Sequence, residues 1–225
     1  MNESKISLSK ETIGVLKNLS SINENLLIEK GNRLRSMSTM KNILVDVEVE
    51  ESFPKEFGIF KLNEFLTVLK LLNKPTLDFS YKGYVVIKGG DQEVHFFSTD
   101  RMSLTVPPET FSPPEMEINF PFPKSTISSI VKFGNELDLP HLVMSSSGDE
   151  EVEIRVEDLK NVTRHHYSQV LKVDEPVKRF ELQLGLGNLK MIPDDYEFSV
   201  SLKTPVTRWV GSIGTYWIAG DKVSV

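Results

Sequence analysis

The chain has no cysteine, which excludes disulfides and thiolate chemistry and fits a reducing compartment. No stretch approaches the roughly 18 consecutive apolar residues of a membrane span. Residues 1–10 are polar and mixed in charge, without the apolar core of a secretory signal, so neither export nor membrane insertion is expected. Histidine is scarce. His95, His141, His165 and His166 include no pair at the i, i+4 helical spacing of a metal site, and the adjacent His165 and His166, in an expected strand, would point to opposite faces. There is no GxSxG elbow. Gly185, Gly187 and Lys190 (GLGNLK) lack the GKS or GKT ending of a phosphate loop and the third glycine of a dinucleotide loop. The acidic run Asp149, Glu150, Glu151 and Glu153 could supply a two-metal nuclease site, but it falls at a turn where charge is expected anyway. No catalytic set emerges, and neither a cofactor, a metal nor a small-molecule substrate is expected.

What is present is an ordinary globular composition, 39% hydrophobic and 26% charged, over 225 residues. That length suits one large domain or two of about 110 residues. The spacing of Thr12, Val15, Leu16 and Leu19 predicts a helix over 9–19. Leu26, Leu27 and Ile28 predict a strand that turns at Lys30, Gly31 and Asn32 into a second over 34–37, and a third strand alternates through Ile43, Val45, Val47 and Val49. The order then recurs. Leu62, Phe65, Leu66, Leu69 and Leu72 mark a second helix, followed by strands over 76–80, 84–88 and 94–98. Ile127, Ile130 and Val131 mark a third helix, followed by strands over 142–145, 152–156 and 161–171. A strand over 180–184, a short fourth helical turn over 185–191 and strands over 196–202, 207–211 and 215–219 complete the chain.

The chain thus reads as four copies of a helix with attached strands. Pro107, Pro108, Pro113 and Pro114 forbid regular structure between the two halves. The expected division is a first domain over 1–100, a linker over 101–116 and a second domain over 117–225.

The formal charge of −6 argues against a nucleic-acid partner until its distribution is examined. The four helical windows, 9–19, 61–74, 124–136 and 185–191, hold eight lysines against Glu11, Glu64 and Glu136, a net +5, and the rest of the chain carries −11. If the helices line one surface, it is electropositive inside an acidic shell and would hold a polyanion without sequence preference. The alternative is that lysine, a good helix former, populates solvated helix faces. A third reading is an acidic DNA mimic that binds only proteins.

Residues 6–23 (ISLSKETIGVLKNLSSIN), 59–73 (IFKLNEFLTVLKLLN), 120–123 (FPFP) and 188–196 (NLKMIPDDY) resemble, in order and at matching length, segments of the sliding clamps of T-even bacteriophages. Residues 34–49 and 216–219 (YWIA) also resemble cellular clamps such as proliferating cell nuclear antigen. The resemblance implies an α+β chain of two similar clamp domains, helices inside and antiparallel sheets outside. Three copies would form a ring of twelve helices around duplex DNA. It implies a processivity factor rather than an enzyme, serving a replicative polymerase, an ATP-dependent clamp loader and late-transcription factors in the cytoplasm of an infected bacterium. Lys10, Lys17, Lys70, Lys132 and Lys190 would face the DNA. Met37, Val106, Phe111, Trp217 and Ala219 would form a pocket for partner peptides. His95, Phe96 and Phe97 of one subunit would meet Leu159, Val162 and Arg164 of the next.

Overall fold

The computed structural model describes residues 4–161 and 163–225. The chain divides into two compact units at residues 109 and 110, inside the proline-rich stretch.

The first unit runs β1 (Lys5–Ile6), α1 (Lys10–Ile22), β2 (Leu26–Ile28), β3 (Gly31–Met37), β4 (Ile43–Phe53), β5 (Phe57–Ile59), α2 (Leu62–Leu71), β6 (Thr76–Asp78), β7 (Tyr84–Gly89) and β8 (Gln92–Phe97). The second repeats that order with one strand more at its end: β9 (Ile118–Phe122), α3 (Lys124–Glu136), β10 (His141–Ser146), β11 (Glu151–Glu157), β12 (Tyr167–Lys172), β13 (Phe180–Gly185), a 3-10 turn (Leu186–Asn188), β14 (Tyr196–Val200), β15 (Val206–Val210), β16 (Gly214–Ala219) and β17 (Lys222–Ser224). The turn stands where α2 stands in the first unit. Among the described residues there are three α-helices and not four, because Gly185, Gly187 and Pro193 leave too little helix-forming sequence between them.

Each helix lays an apolar face on its unit. On α1 this is Val15, Leu16, Leu19 and Ile22, on α2 Leu62, Phe65 and Leu69, and on α3 Ile127 and Ile130. The Ser9 hydroxyl caps α1 by accepting from the Thr12 amide at 3.1 Å. The Glu51 carboxylate, reaching in from β4, accepts from the Ser9 amide and the Thr12 hydroxyl.

Strand pairing is antiparallel. In the first unit β1, β6, β7 and β8 form one sheet with β8 outermost, β3 pairs with β4, and β2 pairs with β5. The hairpin expected between β2 and β3 is therefore not formed. Gly31, with φ +115°, opens β3 instead, and β2 crosses to a three-residue strand that carries no alternation to announce it. In the second unit β12-β11-β10-β13-β17 form one sheet with β12 outermost, and β16-β15-β14-β9 run side by side. The strand expected over 161–171 starts only at Tyr167, which leaves His165 and His166 in the loop before β12.

The core of the second unit is aromatic. Phe198 lies 4.6 Å from Trp209 and 4.8 Å from Phe120 between ring centres. The Trp209 indole donates to the Thr207 hydroxyl at 2.9 Å, and that hydroxyl donates to the Ile218 carbonyl at 3.0 Å, so no polar atom of this cluster is stranded. Burial raises the Tyr216 phenol to about 12. Among the described residues no helix is long and apolar enough to cross a membrane.

Candidate functional site

Helical phase separates the lysines from the core. With Val15, Leu16 and Leu19 buried, Lys10, Gly14, Lys17 and Ser21 form the outward stripe of α1. Asn63, Thr67 and Lys70 continuing to Lys74 form that of α2, and Ser125, Ser128, Lys132 and Asn135 that of α3. The exposed carboxylates Glu11, Glu64 and Glu136 and the 76% exposed Leu71 flank these stripes, whose own side chains apart from lysine are short. Lys190, just past the 3-10 turn, is exposed too.

The ion pairs sort the cations. On the sheets Arg33 meets Asp46, Lys88 meets Glu93 at 2.8 Å and Arg155 meets Glu153 and Glu157, and in the segments beside the second unit's strands Lys203 meets Glu115 at 2.7 Å. Among the described residues no carboxylate lies within pairing distance of Lys10, Lys17, Lys70 or Lys132. Lys61, at the start of α2, differs: Glu64 bonds it at 2.8 Å and raises its pKa. Unpaired ammonium groups among short side chains offer charge to phosphates without the rigid arginine forks that read base edges.

Each unit also presents an outermost strand with one unpaired edge. On β8, Phe96 turns inward to Phe65 at 5.2 Å, and Phe97 stands 69% exposed. His95 stacks on Tyr84 at 5.1 Å, and its Nε2 lies 3.2 Å from Glu93. On β12, Val170 is 53% exposed, and Tyr167 stacks on Phe133 of α3 at 4.3 Å. Leu159 is exposed in the loop leading to β12. Arg164 of the same loop is engaged within its own unit, donating to the Leu137 carbonyl at 2.9 Å and to Asp158 at 3.4 Å. Val162 lies outside the described residues.

The five expected pocket residues fall on both units. Met37 and Val106 are half-buried in the first, where the Met37 carbonyl accepts from Asn23 Nδ2 at 2.8 Å. In the second, Phe111 meets the Trp217 indole edge to face at 5.1 Å, and Ala219 is half-buried opposite Val206. Across β15 and β16 Trp217 stands directly opposite Arg208, a residue that the sequence reading did not single out. Its alternation with buried Trp209 in VTRWV was the available signal.

At the acidic turn, Asp149 accepts from the Glu151 amide at 3.2 Å and the Ser146 hydroxyl at 3.4 Å, a turn-capping role. Among the described residues no three His, Asp or Glu groups converge as metal ligands do.

Repeated strand-and-helix units with antiparallel sheets define the sliding-clamp fold. The chain aligns with A. fulgidus PCNA, in a structure where that protein is bound to the C-terminal region of FEN-1, over 98% of this chain and 99% of that one, with a TM-score of 0.72 at 12% identity. Residues 9–99 match the DNA polymerase processivity factor family. The chain is 27% identical over 218 residues to the sliding clamp of Vibrio phage KVP40, covering 95% of this chain and 98% of that protein. It is 21% identical over 222 residues to the sliding clamp of Escherichia phage RB69, covering 96% and 90%. The chain thus resembles the sliding clamps of T-even-type phages over nearly its whole length, as its sequence indicated.

Proposed function

We propose that this protein is a non-enzymatic DNA sliding clamp. Three copies close head to tail around duplex DNA, and the ring tethers the replicative polymerase of a phage in the cytoplasm of its bacterial host. Lys10, Lys17, Lys70, Lys132 and Lys190 face the DNA. An ATP-dependent clamp loader opens the ring, and late-transcription factors share the docking surface with the polymerase. The observation that carries this reading is the division of charge: Arg33, Lys88 and Lys203 are matched by carboxylates, whereas Lys10, Lys17, Lys70 and Lys132 meet none among the described residues and are left for an outside polyanion. Loose phosphate contacts suit a protein that must slide, since base-reading contacts would arrest it.

Each seam of the ring joins the free edge of β8, with His95, Phe96 and Phe97, to the second unit of the next copy along Leu159, Arg164 and the edge of β12. Ring closure removes both edges, which would otherwise invite aggregation. Partner peptides dock on the second unit at Trp217 and Ala219, where Phe111 lies over the indole, and Met37 and Val106 are partner-binding residues of the first unit in their own right. The test is solution mass by light scattering beside polymerase run length on primed DNA. A mass three times that of the 25.5 kDa chain and a clamp-dependent increase in run length support the reading, and a monomer without effect on the polymerase overturns it.

A further inference from the structure

The outward face of β14, β15 and β16 carries donors that the fold leaves unmatched. Pairing places Asn119, Ser199, Arg208 and Trp217 in one row across β9, β14, β15 and β16. One terminal guanidinium nitrogen of Arg208 donates to the Ser199 hydroxyl at 3.2 Å. The Arg208 Nε–H and the Trp217 indole N–H are both buried and meet no acceptor among the described residues. Trp209, on the opposite face, shows how the fold treats an indole meant for the core, by giving it the Thr207 hydroxyl. Buried donors are nearly always satisfied, so two orphans on opposed residues call for an explanation. Charge sharpens the point. Arg33, Arg35, Arg101, Arg155 and Arg164 each meet a carboxylate, Arg179 is exposed, and Arg208 is half-buried with none in reach among the described residues.

The second observation is what sits on Trp217. Phe111, 39% exposed, contacts the indole at an interplanar angle of 71°. It comes from a stretch between Pro108 and Pro113 in which, among the described residues, no backbone hydrogen bond ties residues 110–114 to the sheet. An aromatic ring fits this position, and the one present is weakly tethered.

We infer that this face takes a protein segment carrying an aromatic side chain beside an Asp or Glu carboxylate, and that Phe111 holds the place of that ring on Trp217 until the segment arrives. The carboxylate accepts from Arg208 Nε and Trp217 Nε1. A carboxylate is the fitting acceptor because its two oxygens can take both donors while neutralising the guanidinium. The inference rests on the reading of the protein as a clamp that docks partners at Trp217, and it adds the chemistry of the partner and a displaceable internal competitor.

The test uses the full-length clamp and a fluorescein-labelled peptide of the last fifteen or so residues of the same phage's polymerase. A second peptide has its Asp and Glu side chains converted to amides, and a third only its terminal carboxylate. Removing the competitor in Phe111→Ala is expected to tighten binding about 2- to 10-fold, the range of one aromatic pair. Arg208→Met, or the side-chain amide peptide on unmodified protein, is expected to weaken binding about 10-fold, and the two changes together no further than either alone. The amide peptide covers the case of a variant that melts early. If Trp217→Ala abolishes binding while Phe111→Ala weakens it or side-chain amidation has no effect, the inference is overturned and the docking site stands. A loss caused only by terminal amidation overturns the side-chain assignment. Unchanged affinity in Trp217→Ala removes the docking site itself.

Discussion

The backbones of Gly58 and Thr99 lie so close that a β-carbon on residue 58 would sit 2.0 Å from the Thr99 carbonyl oxygen. The Thr99 amide donates to the Gly58 carbonyl at 2.9 Å, and the Gly58 amide donates to the Ser98 hydroxyl at 3.0 Å. The residues that follow β8 are thereby strapped to β5, and backbone on both sides of the contact cannot step aside as a side chain could. Gly58→Ala is therefore expected to destabilise the protein by about 1–3 kcal/mol, the range for overpacking. Gly14, on the outward stripe of α1, has nothing within 4 Å of its would-be β-carbon. There the same substitution relieves the helix of its most flexible residue and should stabilise by about 0.5–1 kcal/mol. Paired thermal melts check both, and equal signs would refute the close-contact account.

Glu51 ties the start of α1 to β4, and its charge makes that tie depend on pH. Burial pushes its carboxyl up, but hydrogen bonds from the Thr12 hydroxyl and the Ser9 amide outweigh it and hold the group below its ordinary value of 4.5. A carboxylate depressed in the folded state contributes stability above its unfolded pKa and loses it as pH falls through the folded one. Glu51→Gln should cost about 1 kcal/mol near neutrality, the scale of a lost helix cap. The gap to the parent protein should close as pH drops from about 6 to about 3, through the carboxylate range. Denaturant midpoints across that range check it, and a gap independent of pH would place the effect elsewhere.

What the sequence made legible follows from the range of the interactions involved. The faces of α1 and α2 could be read because helical phase is local: Val15, Leu16 and Leu19 sit three and four residues apart. β4 was legible through Ile43, Val45 and Val47, but its continuation to Phe53 was not, because the later residues that alternate are mostly glutamates. The pairing of β2 with β5 joins two three-residue, wholly buried strands, which carry no period at all. The exposure of Lys10, Lys17 and Lys70 could be inferred, but their freedom from carboxylates could not, since the sheet acids that might have paired them come from distant sequence. The missing acceptors of Arg208 and Trp217 are likewise invisible in a string of letters.

The helix lysines should matter through their position and not through the charge they add. Lys10, Lys17 and Lys70 changed together to glutamate is expected to shorten polymerase run length and to make it fail at lower salt. A lysine that neutralises a phosphate contributes about 0.9 to the slope of log affinity against log salt. The control is Lys5, Lys88 and Lys203 changed to glutamate, the same change in net charge at residues that pair with Asp78, Glu93 and Glu115. That triple should lose little processivity, and both should keep the parental mass. Equal losses in the two triples would show that net charge alone is at work.

Assembly offers the sharpest test, because a head-to-tail seam uses two different edges. Phe97→Glu spoils the free edge of β8 and Val170→Lys that of β12. Both side chains are more than half exposed, so each variant should melt close to the parent as a monomer while losing the ring. Light scattering at micromolar concentration should give a single-chain mass for either variant alone. Mixed in equal amounts, they retain one sound seam, between β8 of the Val170→Lys copy and β12 of the Phe97→Glu copy, and the opposite seam is spoiled on both sides. The mixture should therefore stop at a dimer and never close. A symmetric interface of β8 with β8 would instead leave Val170→Lys assembled by itself and gain nothing on mixing, so the three masses decide between the two arrangements.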